Sequence, residues 1–232
     1  MQVSTIALSA SLSHLAIGLA DGTVLLYRHL DQSLSGSTTL TALPKARIVI
    51  EAPTEPITGL GFREPTASEE TPYLYLFIVT TNRVLCYQAS GKGSNGPPVV
   101  VDEAGAGLGC AVMDWRAKDM VVARDEAIFL CGTDGRGPSL AYEGRKSSIH
   151  THLNYLVIVS PPFFPSASNA SATVRNFVAA TQLPDSTDVS KVTVLDLENK
   201  FVAYSGTFVE GVREVISEWG QIFVVTNDGK VS

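Results

Sequence analysis

The stretch Leu15-Ala-Ile-Gly-Leu-Ala-Asp-Gly-Thr-Val-Leu-Leu-Tyr27 reads as a strand, an Asp-Gly turn and a second strand, and its outline returns along the chain. Tyr73-Leu-Tyr-Leu-Phe-Ile-Val-Thr-Thr-Asn-Arg-Val-Leu-Cys-Tyr87 repeats it, as does Gln221-Ile-Phe-Val-Val-Thr-Asn-Asp-Gly-Lys-Val231. A lone hairpin leaves two unpaired edges and one apolar face open to water, so it is not stable by itself. Recurrence removes the difficulty, because neighbouring copies stack and cover what each leaves open.

Strand candidates rich in Val, Ile, Leu, Phe and Tyr follow one another from Val3–Leu8 to Ile222–Thr226, with Gly, Asp, Asn, Ser or Pro between them. No stretch holds a helical period over three turns. The chain is therefore expected to be all-β. The strands that follow each tight turn, anchored at Val24, Val84, Ile128, Val194 and Val231, are 60, 44, 66 and 37 residues apart. A four-stranded propeller blade takes ~40–45 residues. Two spacings fit directly, and two need insertions, which the sequence offers at Leu30–Pro44, Arg63–Pro72 and Pro161–Ser190. Val174–Thr181 inside the last is a candidate extra strand. The expected architecture over 1–232 is a partial WD40-like β-propeller of antiparallel four-stranded blades, about four blades and a remainder, begun at a first strand and part of a larger ring. Asp21-Gly22 and Asp228-Gly229 are expected to form two-residue hairpins with positive φ, and Asn82-Arg83 and Asp125-Glu126 less ideal versions of the same turn.

Composition narrows the function. The 232 residues are 45% hydrophobic and 17% charged, with a net charge of −6, which gives no electrostatic reason to expect nucleic-acid or anionic-membrane binding. A mean hydropathy of +0.17 predicts many buried strands, or surface that something else covers. No apolar run approaches the ~20 residues of a membrane span. Cys86, Cys110 and Cys131 form no CxxC pair and no even framework, so a reduced, cytoplasmic setting is expected.

Leu15–Tyr27 is close to the WD40 pattern, in which Gly-Ser-x-Asp-Gly-Thr-Val leads to Trp-Asp. Here Tyr27-Arg28 stands at the Trp-Asp position and no Gly-His pair lies upstream, so the relation is degenerate. A second resemblance covers almost the whole chain. It is carried by Ile57-Thr-Gly-Leu-Gly-Phe-Arg63, Leu76-Phe-Ile-Val-Thr-Thr81, Arg136-Gly-Pro-Ser-Leu-Ala-Tyr-Glu-Gly144, Tyr155-Leu-Val-Ile-Val-Ser160, Asn199-Lys-Phe-Val-Ala-Tyr-Ser205 and Glu218-Trp-Gly-Gln-Ile-Phe-Val-Val-Thr-Asn-Asp-Gly-Lys-Val231. In this order the strings resemble the N-terminal propeller of the vacuolar protein sorting-associated protein eleven family, taken up after that family's first blades. The family comprises class C core subunits of the HOPS and CORVET tethering complexes. Its α-solenoid and RING are absent from this sequence, and with them the RING's zinc-binding residues. The resemblance implies a non-catalytic interaction scaffold in vesicle tethering and fusion, peripheral on late endosome and vacuole or lysosome membranes. The implied partners are the other class C subunits and, through the complex, small GTPases and SNARE machinery. A substrate-recognition propeller of a ubiquitin ligase and a propeller hydrolase are the alternatives.

The residues offer little chemistry, and no catalytic, cofactor-binding or metal site is assigned. Gly91-Lys-Gly-Ser-Asn-Gly96 has the wrong order for a phosphate loop, and prolines follow where a helix should start. His150 and His152 share a strand face without further ligands at zinc spacing, and His14 and His29 flank a hairpin. The cysteines read as buried apolar residues. Asp102-Glu103 and Glu69-Glu70 read as surface acid pairs rather than hydrolase dyads. Trp115 and Trp219 are expected as packing anchors between blades. Phe163-Phe164, flanked by prolines, is the one loop feature whose chemistry invites a partner. Asn169-Ala-Ser171 matches the glycosylation triplet, as one chance match is expected to do.

Overall fold

The computed structural model describes residues 2–31, 45–66, 72–90, 96–161 and 189–232. The chain divides into two compact units, Met1–Glu143 and Gly144–Ser232. In the first, three antiparallel four-stranded meanders follow one another. They are β1 (Val3–Leu8), β2 (His14–Leu19), β3 (Thr23–Arg28) and β4 (Arg47–Glu51); then β5 (Ile57–Arg63), β6 (Tyr75–Thr80), β7 (Val84–Gln88) and β8 (Val99–Asp102); then β9 (Ala111–Asp114), β10 (Asp119–Ala123), β11 (Ile128–Gly132) and β12 (Gly135–Leu140). The second unit holds a fourth such sheet, β13 (Ser148–His152), β14 (Tyr155–Ser160), β15 (Ser190–Asp196) and β16 (Val202–Phe208), and a two-stranded sheet, β17 (Val212–Glu218) and β18 (Gln221–Thr226). Val231 bridges back to Val225, opening a third strand on that last sheet. Four four-stranded sheets and a remainder agree with the sequence, and Val24, Val84, Ile128 and Val194 each lie on the third strand of their sheet.

Burial along the strands follows from stacking. In the first unit β1 lies against β5, and β5 against β9, so first strands of successive sheets face one another. Strands β2 and β3 alternate buried and part-exposed residues, the mark of one covered face. Strands β5, β6 and β7 are buried almost without a break, because their sheet is covered on both sides, and Leu76-Phe-Ile-Val79 is accordingly a continuous apolar run. Ala16, Val24 and Leu26 of the first sheet pack with Ile57, Phe62, Leu76, Ile78 and Tyr87 of the second. In the second unit Val157, Val159, Val192 and Val215 form a smaller core, flanked by Phe208, Val212 and Ile222.

Close stacking depends on missing side chains. A Cβ at Gly18 would lie 2.6 Å from Ile57 Cγ2 on the next sheet, one at Gly59 2.7 Å from Ala111 Cβ, and one at Gly61 2.4 Å from Met113 Cγ. The Ile57-Thr-Gly-Leu-Gly-Phe62 string thus leaves a bare strip on β5 into which β9 settles.

The structure corrects several local expectations. Asp21-Gly22 and Asp228-Gly229 are not two-residue positive-φ turns. Only the glycines are left-handed, each with φ 83°, and Gly22 N–H and Gly229 N–H donate back to the Leu19 and Thr226 carbonyls. This is a type I turn followed by a left-handed glycine, which lets Asp21 accept the Thr23 N–H at 3.1 Å. Strand β12 runs Gly135–Leu140, where the residues alone suggest a strand Ser139–Tyr142. Gly137-Pro138 falls opposite Leu130 as a bulge on an outer strand, where neither a missing side chain nor a missing N–H is costly. Strand β16 likewise runs beyond the Phe201–Tyr204 span that the residues suggest, through Ser205-Gly206-Thr207, paired to β15. The three insertions lie largely, and Val174–Thr181 wholly, outside the described residues.

Gly61→Val sets two effects against each other. Valine's strand preference is worth at most ~1 kcal/mol, while overpacking at the β5–β9 contact costs about 1–3 kcal/mol. The expected outcome is a lower midpoint in thermal and urea denaturation, with Gly107→Ala, whose Cβ would meet nothing within 4 Å, unchanged.

Candidate interaction surface

The residues that carried possible chemistry are placed for structure. Cys86, Cys110 and Cys131 are buried free thiols. Burial pushes the Cys86 thiol up to about 12 and the Cys131 thiol up to about 11, so both stay protonated and unreactive. His150 and Ser148 Oγ lie 3.1 Å apart, and His152 Nδ1 is bonded to Ser217 Oγ of β17. Among the described residues no group of three or more His, Cys, Asp or Glu is placed to hold a metal ion. His14 lies beside Ser13 Oγ at 2.8 Å, its ring tilted against Phe62. Glu69-Glu70, Phe163-Phe164, Asn169–Ser171 and Gly91–Asn95 lie outside the described residues.

Burial lowers the affinity of His14 and His150 for a proton, with Arg28 adding to the effect at His14 and Glu214 opposing it at His150. The unfolded chain therefore protonates first as pH falls from 6.5. The stability both residues confer is complete above pH 6.5 and is lost as pH drops toward their folded values. Melting at pH 8 and pH 5.5 is expected to show a decrease that His150→Gln reduces.

Asp102 is the main departure from the sequence reading. It ends β8 with its side chain buried rather than on the surface, and Arg124 Nη2 donates to Asp102 Oδ2 at 2.6 Å. Arg124 Nε also donates to Gly105 O at 2.9 Å and Nη2 to Ala104 O. The guanidinium lies over the Phe129 ring, 4.6 Å from its centroid, with Arg136 over the same ring at 5.3 Å. Arg124 belongs to the β10–β11 turn and its acceptors to the β8–β9 connection, so one side chain fixes the passage from the second sheet to the third. Removing Arg124 leaves Asp102 facing Arg136 Nη1 at 3.9 Å, a weaker and half-exposed counter-charge, and breaking such a buried pair costs about 3–5 kcal/mol. Arg124→Met is expected to lose that much in urea unfolding. Arg124→Met with Asp102→Asn recovers a large part of it.

Glu64, just past β5, joins three sheets. Its Oε1 accepts the Ala10 N–H at 2.7 Å, and its carbonyl accepts Lys118 Nζ at 2.8 Å. Arg28, at the position where a regular WD40 repeat carries Asp, donates instead to Tyr87 Oη on the next sheet at 3.1 Å. These contacts join neighbouring sheets without a Trp-Asp-His network.

Most of the exposed large apolar residues sit on turns, on outer strands and on β1, where Val3, Ile6 and Leu8 are exposed. Neither tryptophan is a buried anchor: Trp115 in the β9–β10 turn is 53% exposed and Trp219 in the β17–β18 turn 88%. The β1–β2 and β13–β14 turns show Leu12 and Leu153 in the same way. Ile48, Val99, Val202 and Tyr204 are exposed on β4, β8 and β16, the last strands of their sheets. Sequence reasoning missed the turn residues because it weighed hydrophobicity toward the interior. The available signal was the position of Trp219-Gly220 and Leu153-Asn154 between paired strands.

Comparison with solved structures supports the architecture. The chain superposes on BBS1N, crystallised in complex with ARL6DN, with TM-score 0.57 and 12% identity, covering 99% of this chain and 62% of that one. The Dos1 propeller gives 0.56 and 13%, covering 99% and 54%. At such identities the likeness shows the fold alone: the sheets are blades of a partial WD40-like β-propeller. The vacuolar protein sorting-associated protein 11 homologs of Mus musculus and Homo sapiens are each 36% identical to the chain across 99% of it, and the Dictyostelium discoideum homolog is 27% identical across 99%. The chain spans 22% of the length of the mouse and human relatives. The family model described as PEP5/VPS11 N-terminal matches residues 1–232, and the chain belongs to that family.

Proposed function

We propose that the chain is a non-catalytic protein-interaction scaffold, part of the N-terminal propeller of a HOPS/CORVET-type subunit that acts in vesicle tethering and fusion at endosomes and the vacuole or lysosome. The observation that carries this reading is the family match over the whole chain, in a relationship whose named members are vacuolar protein sorting proteins. The surface is of the kind such a role needs. Its exposed Trp, Leu and Tyr side chains stand on hydrogen-bonded turns and outer strands, where burial against another protein supplies binding energy. Of the histidines and acids singled out in the sequence, His150 and His152 meet serines and Asp102 pairs with Arg124.

In this reading the direct partners are the other class C subunits, and small GTPases and SNARE machinery are reached through the complex. Membrane association is peripheral and comes from the assembly, on the cytoplasmic side. Among the described residues no helix is long and apolar enough to cross a membrane. The test is affinity capture with the chain extended to the length of its relatives. Recovery of the other class C subunits is the expected result. An extended, monodisperse protein that recovers none of them excludes the reading.

A further inference from the structure

Among the described residues, each four-stranded sheet ends in an outer strand with a neighbour on one side only, so its far edge presents N–H and C=O groups outside any ladder. Three of these edges are defended against pairing with another chain. Strand β4 begins at Arg47 and ends at Glu51, β8 is four residues long and ends at Asp102, and β12 holds Arg136, Pro138 and a bulge. Charge, shortness and proline are the ordinary protections of an edge. Strand β16 has none of them. It is seven residues long, and from Phe201 to Val209 the chain carries neither charge nor proline. One bulge at Ala203 interrupts it, leaving Tyr204–Phe208 in regular register with β15. Phe201, Val202, Tyr204 and Val209 are each more than half exposed along this strand and its flanks.

The residues of β16 select the partner. When a second copy is laid antiparallel and centred on Ser205, Ser205 meets Ser205, Tyr204 meets Gly206 and Val202 meets Phe208; beyond the strand Phe201 reaches Val209 and Lys200 reaches Glu210. Hydroxyl thus faces hydroxyl and apolar faces apolar, the pairings that stabilise neighbouring strands. Gly206 keeps the face low. A Cβ there would lie 2.2 Å from Tyr204 Oη, so the ring folds along its own strand and leaves the edge open to an approaching backbone. Charge decides the direction, because the uncharged run is closed by Lys200 at one end and Glu210 at the other. An antiparallel copy brings those opposite charges together twice, whereas a parallel one sets like beside like. Glu210 also lies near Lys230, but that ammonium is held by Asp228 at 2.7 Å.

We propose that β16 is a self-association edge, at which a second copy of this chain pairs antiparallel and joins two four-stranded sheets into one continuous sheet. The same edge serves both copies, so the contact is isologous and assembly stops at two. Backbone hydrogen bonds supply the attraction, as in strand addition generally, and the contacts of Lys200 with Glu210 fix direction and register. The pairing is independent of the class C partners proposed above.

The test follows the 232-residue chain by sedimentation velocity across a concentration series. The expected result is a reversible monomer–dimer equilibrium. Ser205→Lys sets two ammonium groups against each other on the twofold axis and is expected to weaken the dimer about fivefold or more. Lys200→Glu and Glu210→Lys each turn two attractive contacts repulsive, with a similar loss. An equimolar mixture of those two variants is expected to recover the dimer, because every contact in the mixed pair is again between opposite charges. That recovery also requires both variants to be folded. Ile6→Lys, on the exposed part of β1, is expected to leave the dimer unchanged. The proposal is overturned by an association that Ile6→Lys abolishes and Ser205→Lys leaves intact, or by charge variants that do not recover on mixing. A chain that stays monomeric up to millimolar concentration also overturns it and leaves the edge to an extended segment of another protein. None of these outcomes bears on the capture of class C subunits by the extended protein.

Discussion

The close approach of β5 to its neighbours on both faces is the constraint on which the first unit depends. An antiparallel sheet ordinarily keeps one face in water, but strands β5, β6 and β7 are covered on both. Three glycines make the fit possible: Gly18 admits Ile57 from one side, while Gly59 and Gly61 admit Ala111 and Met113 from the other. The result is a run of strands so apolar that they have no stable existence apart from the stack. Burial of this kind has no direction of its own and fixes neither rotation nor offset between sheets.

Polar contacts supply that missing direction. Arg124 reaches back to the chain that leads into its own sheet, Glu64 joins the turns on either side of it, and Arg28 finds Tyr87. In a regular WD40 repeat a Trp, an Asp and a His repeat one solution in every blade. Here the two junctions within the first unit each have their own, built from whichever charged or hydroxyl residue the turns provide. This explains how the Leu15–Tyr27 motif keeps its outline without its usual Trp-Asp: the strands preserve the pattern, and the fastening has moved elsewhere.

The architecture was legible in the residues because strand pairing and stacking write themselves as runs and intervals. Val24, Val84, Ile128 and Val194 marked equivalent strands although insertions made their spacing uneven. What escaped the sequence depends on partners distant along the chain. Asp102 looked like a solvated acid beside Glu103 until Arg124, 22 positions away, was seen to cover it. Pro138 sits within β12 because that strand is an outer one with a bulge. Trp219 is the most instructive case. Hydrophobicity argued for the interior, but the register Glu218↔Gln221 places it at the apex of a hairpin. No local scale contains that register.

The consecutive order of strands within each sheet has a consequence for how the protein is made. Every ladder joins neighbours in sequence, β1 to β2, β2 to β3 and β3 to β4, and the same holds in the sheets that follow. No strand must wait for a distant partner, so loop closure is inexpensive and pairing is fast for an all-β protein. A sheet can therefore complete its hydrogen bonding as it leaves the ribosome, while the next is still being translated. Only the apolar face awaits the following sheet. Within the first unit the nascent chain is then sticky at its growing end, where the next sheet arrives to cover it, and on β1, where Val3, Ile6 and Leu8 stay exposed.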